Sequence, residues 1–177
     1  FTKAFSIRNS LSITGTGTTL YVNDDLTIDA TAGVVTIPAT TTLEIGSGAT
    51  MNALGGLTVN GTLRLNPGST LKMGAATTLQ VSATGALQLL GSSGNIAQID
   101  ANSGSFTLNM AGTLTANYFK ISHTAATGLN VTGTVSQMDN GEFRFPPSAG
   151  NSVTLGAAAV MPATLNALGF YDDSGFG

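Results

Sequence analysis

Four successive units of eight residues, running from Gly61 to Ser92, constrain the fold of this chain more than any other feature. They read GTLRLNPG, STLKMGAA, TTLQVSAT and GALQLLGS. Each unit contains one polar residue between two apolar ones: Leu63-Arg64-Leu65, Leu71-Lys72-Met73, Leu79-Gln80-Val81 and Leu87-Gln88-Leu89. Because successive residues of a β-strand point to opposite faces, the pattern predicts that the apolar pairs are buried and that the polar residues between them are exposed.

The same apolar-polar-apolar triplet recurs along the rest of the chain. It is found at Leu11-Ile13, Leu20-Val22, Leu26-Ile28, Val35-Ile37, Leu43-Ile45, Leu57-Val59, Phe106-Leu108, Phe119-Ile121, Leu129-Val131, Phe143-Phe145 and Val153-Leu155. Gly, Asn, Asp, Ser or Pro usually separates the triplets, as expected of turns. No window keeps a period of 3.6 residues, so we expect almost no helix.

Strands this short cannot bury a face alone and must stack on copies of themselves. Residues Leu20, Leu43, Leu63, Leu87, Leu108, Val131 and Leu155 step by 23, 20, 24, 21, 23 and 24. This spacing predicts an all-β fold, a right-handed parallel β-helix solenoid with three short strands per coil and about seven coils. An antiparallel β-sandwich, whose short strands also recur regularly, is the alternative.

Composition excludes several classes of function. Charged residues make up 8% of the chain, against about 25% in an average domain. The six basic residues are scattered, whereas nucleic-acid binding needs them clustered. The absence of cysteine excludes disulfides and thiolate metal sites and is compatible with an exported protein. No apolar run is long enough to span a membrane.

We expect residues 1–177 to form one solenoid segment of a larger protein. Residues 1–10 are predicted to be a lead-in or contact strand, residues 11–137 the regular coils, and residues 138–177 aromatic-rich terminal coils. Neither end offers a convincing polar cap, since the end residues include Phe1, Phe5, Phe170, Tyr171 and Phe176. Exposed apolar surface at the end of a solenoid is expected to contact another subunit or domain.

Two acidic segments are candidates for calcium binding, because carboxylate oxygens are the ligands that calcium prefers. The first contains Asp24, Asp25 and Asp29, and the second is Asp172-Asp173-Ser174-Gly175. Neither has the spacing of an EF-hand or of a nonapeptide calcium repeat. We therefore interpret both as turns and predict no metal site.

The remaining candidates for chemistry also have simpler explanations. Asp139 and Glu142 are a possible carboxylate pair for glycoside hydrolysis, but a turn at Asp139-Asn140-Gly141 explains them. His123, the only histidine, has no evident partner for a triad or a metal site and is interpreted as a surface or capping residue. We predict no catalytic, cofactor-binding or metal-binding residue, no cofactor and no enzymatic activity.

Two further motifs have simple structural explanations. Gly15-Thr16-Gly17 lacks the helix and the lysine of a phosphate-binding loop and is predicted to be a turn. Thr113 and Thr115 form the kind of threonine pair that lines ice-binding solenoids, but such a surface needs the pair repeated in successive coils. That repetition is missing from the sequence.

The segments Asn117–Ser122, Gly128–Val131 and Met138–Gly141 resemble the coil rhythm of pectate-lyase-like right-handed β-helix proteins. The units from Thr42 to Leu89 are similar to repeats of very large bacterial surface proteins, including adhesins and autotransporter passengers. Enzymes with this fold place acidic residues and a basic residue together on one outer face. The nine carboxylates of this chain do not gather at coil spacing with any arginine or lysine that the sequence identifies, so the resemblance implies the fold rather than catalysis.

These observations favour a structural extracellular or cell-surface protein, such as an adhesin, a passenger or a filament subunit. We expect a secreted or cell-surface location. The expected partners are other copies of the chain or neighbouring domains of the same chain, and also surface glycans. The alternative is a carbohydrate-binding or carbohydrate-cleaving β-helix whose site lies partly outside this segment.

Overall fold

The computed structural model describes residues 5–8, 11–146 and 149–172. These residues form eighteen strands and one 3-10 turn at Ala30–Ala32. In chain order the strands are β1 Phe5–Ile7, β2 Thr19–Val22, β3 Leu26–Ile28, β4 Val35–Ile37, β5 Thr42–Ile45, β6 Thr50–Ala53, β7 Leu57–Val59, β8 Thr62–Leu65, β9 Thr70–Met73, β10 Thr78–Val81, β11 Ala86–Leu90, β12 Ala97–Ala101, β13 Phe106–Met110, β14 Thr113–Ser122, β15 Thr124–Val131, β16 Thr134–Arg144, β17 Val153–Leu155 and β18 Asn166–Tyr171. The all-β prediction with almost no helix is confirmed.

The strands stack into three sides of a parallel β-solenoid. The first side contains β2, β5, β8, β11 and the starts of β14 and β16. The second side contains β1, β3, β6, β9, β12, the ends of β14 and β16, and β18. The third side contains β4, β7, β10, β13, β15 and β17.

The chain visits the first, second and third sides in turn, so each coil contributes three strands, as predicted. The described residues form about six such coils, with β1 before the first and β18 after the last. This number is close to the predicted seven. Because the named strands pair in parallel, with each partner one coil away along the chain, the antiparallel sandwich is excluded.

The solenoid interior is built from the apolar positions of the repeat. The eight apolar residues that flank the polar residue in the triplets of the four eight-residue units are 0% exposed. Arg64, Lys72, Gln80 and Gln88 lie on the outer surface, but each is half-buried rather than fully exposed. Residues at the same register position in neighbouring coils, only about 4.8 Å away, cover part of each side chain.

The predicted column of equivalent residues is correct in its first half and wrong in its second. Leu20, Leu43, Leu63 and Leu87 are register partners on the first side. The column continues to Leu114 and Val135, whereas Leu108, Val131 and Leu155 belong to the third side. The extra residues of the turn between β11 and β12, which contains a bridge between Ser92 and Asn95, lengthen this coil and displace the register.

Three strands of the second side, β6, β12 and β18, were not predicted, and one predicted strand is not formed. Strands β6 and β12 place Ala53 and Ala97 in the interior, and alanine gives a weak apolar signal. Residues 11–13 match the triplet pattern but lie outside any strand. The triplet at 143–145 ends at Arg144, because Phe145 has a left-handed backbone with φ of 52°.

Glycine forms the corner between the third and first sides in four coils, at Gly61, Gly85, Gly112 and Gly133. A Cβ atom on Gly112 would lie 2.1 Å from the carbonyl oxygen of Gly85 in the preceding coil. The close approach of backbones at this corner therefore requires residues without a side chain.

The corner between the first and second sides is a single left-handed residue in the later coils. Tyr118 in β14, Asn140 in β16 and Ala167 in β18 have φ values of 48°, 51° and 51°. Asn140 Nδ2 also donates a hydrogen bond to Asn117 Oδ1 at 2.9 Å. This sharp bend lets each of these strands continue from one side to the next without a separate loop.

Candidate functional site

The outer surface of the second side gathers charged side chains in the later coils. We call this surface the charged patch and define it as Lys72, Asp100, Lys120, His123, Glu142 and Arg144. Lys72 and Asp100 are register partners, as are Lys120 and Glu142. Strand alternation directs the five patch residues that lie in strands outward, because the adjacent Leu71, Ile121 and Phe143 are buried. His123 lies between β14 and β15.

His123 connects three successive coils within the charged patch. Its Nδ1 atom lies 2.6 Å from Asp100 Oδ1 in the preceding coil. Its ring stacks on Phe145 of the following coil, with centroids 4.5 Å apart and planes 4° from parallel. The predicted surface position is correct, but sequence reasoning missed both partners. The available signal was the separation of 23 residues between Asp100 and His123, which is about one coil.

Glu142 and Arg144 form an ion pair on the same surface. Arg144 Nε donates to Glu142 Oε2 at 2.8 Å, and the guanidinium carbon lies 4.3 Å from the centre of the Tyr171 ring. This second contact is a cation–π interaction with the final strand. The patch therefore presents the hydrogen-bonded pair Asp100–His123 and the ion pair Glu142–Arg144 beside two aromatic rings.

The expectation that no carboxylate gathers with a basic residue at coil spacing is wrong. Besides the charged patch, Arg64 Nη1 donates to Glu44 Oε2 at 3.3 Å on the first side. The sequence did not reveal these pairs because the coils differ in length. A fixed spacing along the chain therefore does not identify which side chains are neighbours. Their meeting depends on the register, which places Glu44 directly beside Arg64.

Asp139 and Glu142 do not act as a pair, although they are close in sequence. They lie on opposite sides of the corner at Asn140. Asp139 accepts hydrogen bonds from Gln137 Nε2 at 3.0 Å and from the Asn166 amide at 3.0 Å. These two hydrogen bonds, the Gln137 contact foremost, lower the pKa of Asp139 below its ordinary value of 3.8. Asp139 thus links β18 to the preceding coil by hydrogen bonds.

Polar ladders run between coils on the other two sides. On the first side Arg64 Nε also donates to Gln88 Oε1 at 2.8 Å. On the third side Asn109 Nδ2 donates to Gln80 Oε1 at 3.1 Å, and Asn130 Nδ2 donates to Asn109 Oδ1 at 3.2 Å. The outward polar residues of the repeat therefore hydrogen-bond along the solenoid axis.

The carboxylates of the first acidic segment stabilise turns or link neighbouring coils. Asp24 Oδ1 accepts from the Asp25 amide at 2.8 Å, and Asp25 Oδ1 accepts from the Thr50 amide at 3.0 Å. Asp29 caps the 3-10 turn by accepting from the Thr31 amide at 3.0 Å. This backbone hydrogen bond is the main reason that the pKa of Asp29 is lowered.

No metal site emerges within the described residues, where no three His, Asp or Glu side chains lie close enough to share an ion. Asp172 is exposed at the end of the last strand. The rest of the second acidic segment, Asp173-Ser174-Gly175, lies outside the residues that the structure describes.

The two weaker motifs have ordinary structural surroundings. The Gly17 amide donates to the Thr40 carbonyl at 3.1 Å, and both glycines of the Gly15-Thr16-Gly17 segment have positive φ. Thr113 and Thr115 align with Ala86 and Gln88 in the preceding coil. The threonine pair is therefore not repeated on its face.

Apolar side chains are exposed at the C-terminal end of the solenoid. Leu155, Val160 and Phe170 are 53%, 56% and 58% exposed. At the other end, a cavity of about 300 Å³ is lined by Leu11, Ser12, Ile13, Thr14, Thr18, Thr19 and Leu20. The apolar residues Phe1 and Phe176, and the side chain of Phe5, fall outside the described part.

Within the described residues, no helix is long and apolar enough to span a bilayer. A scan against protein-family models and searches of curated proteins and of solved structures gave no match to this chain.

Proposed function

We propose that this chain is a rigid segment of a structural protein that works outside the cell or on its surface. The observation that supports the proposal is the continuity of the stacking over about six coils. The interior columns are closed to solvent along the central coils, and polar ladders join the coils on the outside. A solenoid built this way keeps its length and direction because every coil rests on its neighbours.

The low charge and the surface of hydroxyl and amide side chains suit a scaffold exposed to the extracellular medium. Adjacent coils are separated by about 4.8 Å, so six coils extend roughly 30 Å along the axis. In this role the fold itself performs the function, and no individual surface residue is essential.

Surface labelling and attachment assays on cells that produce the protein test this proposal. An antibody against the chain should label intact cells, and deletion of the gene should impair attachment or surface assembly. Leu79→Ala, which damages the core, should reproduce the deletion, whereas Gln80→Ala on the outer face of the same strand should restore the normal phenotype. Labelling only after lysis would overturn the proposal.

A second candidate function, binding of carbohydrate, is favoured by the aromatic rings beside the charged patch. Phe145 and Tyr171 are 38% and 42% exposed, and Asp100 and Glu142 lie near them. Apolar ring faces with nearby carboxylates suit sugar rings and their hydroxyl groups. Calorimetric titration with neutral and acidic polysaccharides should then show binding that Tyr171→Ala weakens. No heat of binding with any polysaccharide would reject this candidate.

A further inference from the structure

The third side of the solenoid differs from the other two in its charge. In the part of the chain that the structure describes, the strands of this side (β4, β7, β10, β13, β15 and β17) contain no Asp, Glu, Lys, Arg or His. The first side carries the pair Glu44 and Arg64, and the second side carries the charged patch. Because charged side chains are costly to remove from water, the third side is the face that another surface can cover at the lowest cost.

The outward residues in the middle of this side form one column of hydroxyl and amide groups. Register partners in successive coils place in this column Thr36, Thr58, Gln80, Asn109, Asn130 and Thr154. The five strand-to-strand steps of about 4.8 Å give the column a length of roughly 24 Å. The third side therefore presents a continuous, uncharged polar stripe that runs along the solenoid axis.

The polar groups of this column can bond to copies of themselves. A carboxamide contains two N–H donors and a carbonyl acceptor, and a hydroxyl group both donates and accepts. Within the column, Asn109 Nδ2 donates to Gln80 Oε1 and Asn130 Nδ2 donates to Asn109 Oδ1. Each of these hydrogen bonds uses one of the two N–H groups of its donor. The second N–H group can bond to a partner, and another copy of the same face offers amide and hydroxyl oxygens as acceptors.

We propose that the third sides of two copies of this chain pack face to face. The two faces have the same strand spacing and the same self-complementary groups, so the ladder of one copy aligns with the ladder of the other. Asn and Gln ladders on paired sheets interdigitate in this way in cross-β assemblies. The contact is isologous, because the same surface meets itself, and it therefore closes at a dimer. It extends the proposed scaffold by a lateral partner and does not involve either end of the chain.

The size of the face determines the expected strength of the dimer. A strand of four residues, such as β10, is about 13 Å long, so the face measures roughly 24 by 13 Å. A standard interface buries about 800 Å² on each partner, which is more than this face provides. We therefore expect a weak dimer that forms at high protein concentration.

Sedimentation velocity of the 177-residue chain at increasing concentration tests the contact. The unaltered chain should shift from monomer to dimer and form nothing larger. Gln80→Glu should weaken dimerisation at least tenfold, because each copy would then bury a carboxylate. Gln88→Glu is the matched control and should dimerise normally, since Gln88 is also a half-buried outward glutamine but lies on the first side beside Arg64. Matching melting temperatures would show that both variants are folded.

Chemical cross-linking locates the contact independently of any added charge. A two-fold axis that brings the whole face into contact passes near its centre, between β10 and β13, so Thr107 in β13 lies close to its counterpart in the second copy. The chain contains no cysteine, so one introduced thiol reacts alone. A short bifunctional maleimide should join Thr107→Cys into dimers. Thr115→Cys, another half-buried outward threonine but on the first side, should remain monomeric.

Three results would overturn the proposal. They are a chain that stays monomeric at every concentration, equal weakening by Gln80→Glu and Gln88→Glu, and equal cross-linking of Thr107→Cys and Thr115→Cys. Binding of a neutral polysaccharide by a monomeric chain, abolished by Gln80→Glu, would assign this face to a glycan instead. Labelling of intact cells does not depend on this contact, so its failure would leave the proposed scaffold function standing.

Discussion

At the scale of single residues, the tightest constraint lies at the corner where the third side meets the first. The glycines there touch the backbone of the coil below, and a backbone carbonyl cannot rotate away as the end of a side chain can. A methyl group at Gly112 would meet two carbonyl oxygens, at 2.1 Å from Gly85 and 2.4 Å from Ser82. Two coils must therefore separate locally to admit it.

Gly112→Ala should lower the free energy of unfolding by about 3 kcal/mol, at the upper end of the cost of overpacking. Gly94→Ala is the control, because Gly94 has a φ of 83° and open space around its Cα. It should cost about 1 kcal/mol, the penalty of a left-handed backbone alone. Urea denaturation measures both values, and equal losses would contradict the steric explanation.

Leu79 and Gln80 test the alternation of the two faces in one strand. Leu79 is 0% exposed, so Leu79→Ala should cost about 2 to 5 kcal/mol by leaving a cavity in the interior. Gln80→Ala removes the hydrogen bond from Asn109 and the one that Gln80 Nε2 donates to the Val81 carbonyl, both at the surface, and should cost about 1 kcal/mol. Comparable destabilisation of the two variants in urea unfolding would be inconsistent with this assignment of the faces.

At the scale of the elements, the last strand is held by stacking and by one carboxylate. Asp139 in β16 accepts hydrogen bonds from the backbone and side-chain nitrogens of Asn166 in β18. Phe170 and Tyr171 in β18 contact Phe143 and Arg144 in β16. Among the described strands, β18 pairs with β16 alone, whereas an internal strand such as β9 has neighbours on both edges.

The carboxylate of Asp139 makes this attachment sensitive to acid. Its pKa is lowered from the ordinary value of 3.8, chiefly by the Gln137 hydrogen bond, so the folded state favours the anion. The resulting stabilisation is present above pH 3.8 and is lost as the pH falls through the lowered pKa of the folded state. Asp139→Asn should therefore lose less stability than the unaltered chain between pH 6 and pH 2, as measured by thermal melts. An identical loss in both proteins would exclude this contribution.

At the scale of the whole molecule, we expect stability to come from the stacked apolar columns rather than from a bound ion. The candidate calcium ligands Asp24, Asp25 and Asp29 accept hydrogen bonds from backbone amides that close turns or link coils. EDTA should therefore leave the melting temperature unchanged. A large fall on chelation, reversed by added calcium, would show that these carboxylates or Asp172 bind a metal.

Much of the fold could be predicted from the sequence because burial alternates locally along a strand. The triplets at Leu63-Arg64-Leu65 and Leu71-Lys72-Met73 identify their inward residues without knowledge of any other part of the chain. Alanine-containing β6 and β12 were missed, since a methyl group in the interior gives little signal. The right-handed winding of the coils remains a prediction from the sequence pattern.

The candidate site could be predicted only in part. The position of His123 in a surface turn follows from the polar residues around it, but its contacts with Asp100 and Phe145 do not. These residues meet across coils, and the register depends on how many residues each intervening turn contains. A single miscounted turn replaces Leu114 with Leu108 in the column above Leu87, and every cross-coil neighbour after it changes as well.

The sequence by itself determined that this chain is a stack of short strands with defined inner and outer faces, because side-chain alternation and turn-forming residues act within a few residues. Only the tertiary structure decided which coils lie against each other and which charged side chains meet. Those features depend on contacts between residues more than 20 positions apart, such as the 23 that separate Asp100 from His123. Stacking sets these contacts through the summed lengths of the turns, which no local pattern specifies.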